Sequence, residues 1–195
     1  MSISRPIITA ACGLTSAGWL AGVRQVVSPN RDERSPGVPV TLIVIHAISL
    51  PPGAFGSDDI VRFFTNQLDP DGHPYFAQIG TLRVSAHFLI RRDGDLIQFV
   101  SCDERAWHAG QSTWNGRDRC NDFSIGIELE GCDDAPFADI QYAVLIDLAA
   151  RLKTLYPIDA MVGHSDVSPG RKTDPGPCFD WGRLHAVGKF SGTLR

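Results

Sequence analysis

The sequence predicts a single α/β domain with a mixed central β-sheet flanked by helices. Three observations carry that prediction. Residues 41–46 read TLIVIH, a near-continuous apolar and β-rich run of the kind that is covered on both faces. Asp93-Gly94 stands between two apolar runs, a strong hairpin signal. From Phe137 to Tyr156, Ile140, Val144, Leu148 and Leu152 recur at every fourth position, as on one face of an amphipathic helix. Strands before, between and after helices, joined partly by a hairpin and partly by longer crossovers, give a mixed sheet.

In chain order, residues 1–17 read as a flexible extension. Arg5 followed by Ile7, Ile8, Ala10, Ala11 and Leu14 imitates a signal peptide, but Pro6, Thr9, Gly13, Thr15 and Ser16 dilute the apolar stretch. The run from Thr41 to His46 is expected in the middle of the sheet. Ser57-Asp58-Asp59 supplies an N-cap and an acidic first turn for a helix carrying Ile60, Val61, Phe63 and Phe64. Asp69-Pro70-Asp71-Gly72 breaks that pattern. Strands are expected at 83–91 and 95–100 around the turn Arg92-Asp93-Gly94. Residues 123–130 alternate, with Phe123, Ile125, Ile127 and Leu129 on one face and Ser124, Gly126, Glu128 and Glu130 on the other. Pro157 ends the long helix over 137–156, and a short last helix is expected over 181–187.

With 195 residues, 43% hydrophobic and 21% charged, the chain can bury one sizeable core and shows no composition shift that would divide it. Residues 18–195 are read as one domain. A net charge of -4 and the lack of any Lys/Arg cluster interleaved with aromatics argue against nucleic acid as a partner. No apolar run approaches the roughly 20 residues that span a bilayer, so no membrane-spanning helix is expected. The five cysteines, at 12, 102, 120, 132 and 178, are odd in number and lack a Cys-x-x-Cys pair. They read as reduced thiols of a cytoplasmic protein.

The chemistry concentrates in GHSDVSPGRKTDPGP, residues 163–177, where three prolines stiffen a loop that sets His164 ten residues before Asp174. His46, at the end of the apolar strand, would supply the other half of a metal site. Two imidazoles and one carboxylate would leave zinc a fourth tetrahedral position for water, the layout of a hydrolytic site. Spacing alone leaves this open beside a satisfied histidine at a strand end. Glu128 is a carboxylate in an otherwise apolar strand, so it faces either solvent or a cleft. Near a metal it could take a proton from water and pass it to a leaving amine. Lys172, two residues before Asp174, could stabilise an oxyanion or simply be solvated. His73, His87 and His108 stand beside turn residues, a hairpin strand and an aromatic, without a decisive signal for any.

Together, HAISLPPG from His46, RVSAHFLIRRDG from Arg83, RAWHAG from Arg105, RCNDFSIGIELEG from Arg119 and the loop from Gly163 resemble one family. It is the zinc N-acetylmuramoyl-L-alanine amidases of the type-2 group, with the cytosolic cell-wall recycling branch as the nearest match. The resemblance runs from about Gly18 to Trp181. It implies the fold of T7 lysozyme and peptidoglycan recognition proteins, Zn2+ held by His46, His164 and Asp174, and Glu128 with Lys172 as the catalytic pair. Arg83, Trp107, Arg119 and Arg171 fall in segments that the family uses on its substrate, so it implies them as muropeptide contacts. One departure is Ala47, where this group commonly has Asn directly after the first zinc histidine.

The implied activity is hydrolysis of the amide between anhydro-N-acetylmuramic acid and L-alanine, with an anhydro-muropeptide as substrate and no obligatory protein partner. Two alternatives belong to other classes. A module that binds muropeptide without cutting it would typically lack a zinc ligand, and a secreted or phage lytic amidase acting on intact wall would carry an export signal or a wall-binding module.

Overall fold

In the computed structural model, residues 18–185 and 193–194 are described, so the expected extension over 1–17 and the end of the expected last helix lie outside them. The strands and helices follow in the order β1 (Arg24–Gln25), β2 (Arg31–Glu33), β3 (Leu42–Ile48), α1 (Asp59–Phe64), α2 (Pro74–Ile79), β4 (Phe88–Ile90) and β5 (Leu96–Gln98). Then come β6 (Glu104–Ala106), β7 (Thr113–Trp114), β8 (Arg117–Asp118), β9 (Ser124–Glu130), α3 (Asp139–Leu155), β10 (Ala160–Gly163), α4 (His164–Val167), α5 (Gly182–His185) and β11 (Thr193–Leu194). The main sheet is ordered β1-β5-β4-β9-β3-β10-β11. Only β4 and β5 pair antiparallel within it; every other neighbouring pair is parallel. The sheet is mixed, as the sequence predicts.

The predicted hairpin forms as β4-turn-β5, and two constraints select glycine at its turn. Gly94 has φ +89°, and a Cβ there would come within 2.5 Å of Cγ1 of Ile140. That contact also explains one departure from the expected helix stripe: Ile140 is 37% exposed and covers the turn instead of entering the core. The buried face of α3 is made by Tyr142, Val144, Leu145, Leu148, Ala149 and Leu152. Each large aliphatic side chain buried there contributes roughly 1.5–3 kcal/mol, which outweighs an N-cap position held only by Ala138.

Packing on the two faces of the sheet differs, and the difference places the site. Ile43 and Ile45 of β3 and Ile125, Ile127 and Leu129 of β9 pack with α3. The alternate residues Leu42 and Val44 pack on the opposite face, with Val162, Ala109 and Val167. A third apolar cluster joins Phe63, Phe64 and Phe76 of the α1–α2 region to Leu89, Ile97 and Phe99. By the period of two, His46 and Glu128 therefore share the face turned away from α3.

Two other expectations need correction. Phe123 joins Leu42 and Val44, not Ile125, because it ends a 3-10 turn (Cys120–Asp122) and β9 begins only at Ser124. Residues 83–87 form no regular strand: His87 still bonds Gly126 and Phe99 through its backbone, but at Ser85 the bonds leave the ladder, its N–H donating to the Trp107 carbonyl and its hydroxyl to the Asn30 carbonyl. The polar face of β9 is not solvated either, for all seven of its residues are buried. Glu130 is satisfied there by the Gly56 and Arg92 backbone N–H groups, at 2.6 and 3.1 Å.

Candidate metal centre

Strand register brings three candidate residues to one level. His46 is directly opposite Glu128 on β9, while on the other side of β3 the last residue of β10, Gly163, is opposite Ile45. His164 follows immediately, so it stands beside His46. These are the carboxyl ends of three adjacent parallel strands, where open α/β sheets place their ligands.

The Asp174 loop closes on this edge through Gly163. A Cβ on Gly163 would lie 2.8 Å from Cδ of Pro175, so glycine lets the residue after Asp174 pack directly against the end of β10. The Ser165 N–H donates to the Asp174 carbonyl at 2.9 Å and pins the loop to the start of α4. Arg171 anchors its other limb, donating from Nη2 to the carbonyls of Ala109 and Gln111 and to the Ser168 hydroxyl, at 2.7–2.8 Å.

The result is a compact donor set. Nδ1 of His46 is 2.9 Å from Nδ1 of His164 and 3.1 Å from Oδ2 of Asp174, and the last two atoms are 3.0 Å apart. His46 and His164 are buried and Asp174 is partly so. Nε2 of His164 faces the Ala109 carbonyl at 3.2 Å, and a carbonyl can only accept. His164 therefore carries its proton on Nε2 and turns a bare Nδ1 lone pair toward a carboxylate oxygen. Acceptors that converge in this way fit a cation between them, and two imidazoles with one carboxylate suit zinc with an open position.

Electrostatics agree with that chemistry. Burial, and then the neighbouring His164, push His46 down to about 4, so it is a neutral imidazole at physiological pH. Burial opposes the charge of Asp174, but the facing imidazoles of His164 and His46 outweigh it and hold the carboxyl well below the usual range. Burial, reinforced by the negative Asp174, pushes Glu128 well above its ordinary value, while Lys172 pulls the other way. Oε2 of Glu128 is buried with no hydrogen-bond partner among the described residues. Such an atom is costly unless it has something to bind.

A cavity of about 540 Å³ opens over this group and includes Glu128, Lys172 and Asp174 in its lining. Leu50, Phe63, Tyr75, Ile79 and Leu82 give it an apolar wall. Among the implied substrate contacts, Arg171 lies on the lining, and Arg83, Trp107 and Arg119 do not. Arg83 is turned onto the carbonyls of Gly80 and Leu82, at 3.2 Å each, and Arg119 is paired with Asp122 at 3.2 Å. The Trp107 side chain stands near Asp32, where it adds to Arg105 in holding that carboxyl below its usual value.

Sequence reasoning missed the supports of the site. Asn121 Oδ1 accepts from the backbone N–H groups of His108 and Ala109, at 3.2 and 2.8 Å, and so fixes the segment under His164. His73, which the sequence sets beside turn residues, is the N-cap of α2, where its Nδ1 accepts from the Tyr75 N–H at 3.1 Å. His87 and His108 are buried in a column with His46; the run of His108 with Trp107 and Gly110 pointed to the one, while His87 stood in a segment that reads as a strand.

The chain matches the N-acetylmuramoyl-L-alanine amidase family over residues 36–177. It is 54% identical over 176 residues to the 1,6-anhydro-N-acetylmuramyl-L-alanine amidase AmpD of Escherichia coli (strain K12), covering 89% of this chain and 96% of that protein. Among solved structures it is similar to a crystal structure of an AmpD derivative, with a TM-score of 0.86, 55% identity, and 89% of this chain and 98% of that chain covered. It also resembles the N-acetylmuramyl-L-alanine amidase AmiD from E. coli in complex with its substrate anhydro-N-acetylmuramic acid-L-Ala-D-gamma-Glu-L-Lys. There the TM-score is 0.57 and the identity 30%, over 91% of this chain and 66% of that one.

Proposed function

The chain belongs to the N-acetylmuramoyl-L-alanine amidase family, and from that premise we propose that it is a zinc hydrolase that cleaves the amide between anhydro-N-acetylmuramic acid and L-alanine of muropeptides. Residues 18–195 form the catalytic domain in this reading. The observation that carries it is the convergence of His46, His164 and Asp174 beside a buried Glu128 whose Oε2 has no hydrogen-bond partner among the described residues. The role is recycling of wall fragments in the cytoplasm. Free thiols at Cys102, Cys120, Cys132 and Cys178 suit that compartment, and no helix among the described residues is long and apolar enough to cross a membrane.

When bound, zinc would lower the pKa of its water toward ~7 and polarise the scissile carbonyl. The protein's residues do the rest. Glu128 takes the proton of the attacking water and delivers it to the leaving L-alanine nitrogen, a task for a carboxyl whose affinity for protons burial has raised. The Lys172 ammonium, on the cavity lining, offsets negative charge as the carbonyl becomes tetrahedral. The apolar wall excludes water, and Arg171 stands where a carboxylate of the peptide can reach it. Arg83, Trp107 and Arg119 would join as muropeptide contacts by turning from their present partners.

Mass spectrometry of products from an anhydro-muropeptide and from intact sacculi tests this reading. The expected products are the anhydro sugar and a peptide beginning with L-alanine, with sacculi cut much more slowly. An uncut anhydro-muropeptide would exclude the activity, and equal cleavage of sacculi would favour a lytic enzyme over a recycling one.

Ala47 should set part of the affinity. It is the last but one residue of β3 and lies on the cavity lining, with its methyl partly against the α3-side core, and offers the substrate no side-chain hydrogen bond. One such bond is worth about 0.5–1.5 kcal/mol, so Ala47→Asn is expected to lower KM several-fold with zinc content unchanged. An unchanged or raised KM in the Asn form would show that the pocket does not use this position.

A further inference from the structure

We propose that His108 and Ser124 are positioning residues that fix which nitrogen of His46 faces the metal, an inference that rests on the zinc assignment above. The Ser124 hydroxyl has one hydrogen and donates it to the Cys120 carbonyl at 2.6 Å. Its oxygen is then an acceptor for Nε2 of His108, 3.2 Å away. A neutral imidazole carries one N–H, so a proton on Nε2 makes Nδ1 of His108 an acceptor in turn. Nε2 of His46 lies 3.0 Å from that atom and donates to it. His46 is left with a bare Nδ1, and Nδ1 is the atom that faces His164 and Asp174.

The chain of bonds has a fixed direction because it ends on a carbonyl, which cannot donate. Its members are also held in place. His108 is 9% exposed and meets His46 edge to face, with ring centroids 5.1 Å apart. Beneath it is Gly126, where a Cβ would lie 2.4 Å from Cγ of His108, so the ring rests on bare backbone. The Gly126 N–H is taken by Nδ1 of His87 at 3.0 Å, and the His87 ring meets His108 edge to face with centroids 5.7 Å apart, which holds that seat in place. A metal-ligating imidazole is usually oriented by a carbonyl or carboxylate on its other nitrogen. His164 has the Ala109 carbonyl; His46 reaches the Cys120 carbonyl only through His108 and Ser124.

Two measurements separate this role from simple packing. In metal-free protein labelled with 15N-histidine, NMR is expected to find the His46 proton on Nε2, and to find that preference lost in His108→Ala. In a chelator competition, His108→Ala should raise the zinc Kd about 10–100-fold, the usual effect of removing a ligand's hydrogen-bond partner. His108→Asn, whose amide oxygen takes the place of Nδ1, should recover most of that loss. Ser124→Ala removes only the acceptor behind an intact ring and should raise the Kd in the same direction, so the proposal stays testable where His108→Ala does not fold. A His46 proton on Nδ1 in the unsubstituted protein overturns the proposal, as does an unchanged Kd in the folded variants or an Asn form no better than Ala. Failure of the unsubstituted protein to bind zinc while His46 keeps its Nε2 proton would sink the metal assignment, and with it any role toward a metal, and would leave only the direction of the hydrogen bonds through His108 and Ser124 standing.

Discussion

Alanine at His46, His164 or Asp174 is expected to strip the protein of zinc and to reduce amide hydrolysis to background. Each substitution leaves two protein ligands where three atoms now converge within 4.8 Å of one another. The effect reaches the chemistry directly, because an unbound water has a pKa of about 15.7 instead of about 7 and supplies almost no hydroxide at neutral pH. Metal analysis after dialysis, read beside circular dichroism, checks the prediction. Full zinc occupancy in all three folded variants would remove the assignment.

How much of this was legible in the sequence depended on whether the cause was local. The run at 41–46 and the stripe at 137–156 became β3 (Leu42–Ile48) and α3 (Asp139–Leu155), since period and propensity act within a dozen residues. Gly94 announced its turn for the same reason. Residues 83–87 misled because their pattern is that of a strand, while Ser85 and His87 spend their side chains on Asn30 and Gly126. Those partners lie 55 and 39 positions away, beyond what periodicity can show. Ile140 left its stripe to cover Gly94, again a tertiary contact.

The site follows the same division. Motif blocks named His46, His164, Asp174 and Glu128, but their juxtaposition depends on parallel register across β10, β3 and β9. Asn121 carried no signal of its own, and Ser124 and Gly126 passed as ordinary residues of an alternating segment. Their importance is steric and directional: an amide oxygen that catches two N–H groups, a hydroxyl that passes on a hydrogen bond, and a missing Cβ.

Glu128→Gln is expected to separate chemistry from metal binding and from stability. Glutamine has nearly the same shape, so β9 and the His46 pairing should stay as they are and zinc should remain bound. It cannot shuttle a proton, and the loss of general acid–base catalysis typically costs about 10²–10⁴ in kcat. Stability should move the other way. Burial in mid-sheet, with Asp174 adding to it, raises the folded pKa of Glu128 above its ordinary value of 4.5, so the folded metal-free protein binds this proton more tightly than the unfolded chain. The stability this confers is fully present below the unfolded pKa and is lost as pH rises through the folded one. Glutamine, always neutral, escapes that loss. Metal-free Glu128→Gln should therefore melt at or above the temperature of the unsubstituted protein at neutral pH, with the difference shrinking toward pH 4. Near-normal turnover in the zinc-loaded variant would take Glu128 out of the mechanism, and a variant that melts lower at neutral pH would show that the carboxyl serves the fold and not the reaction.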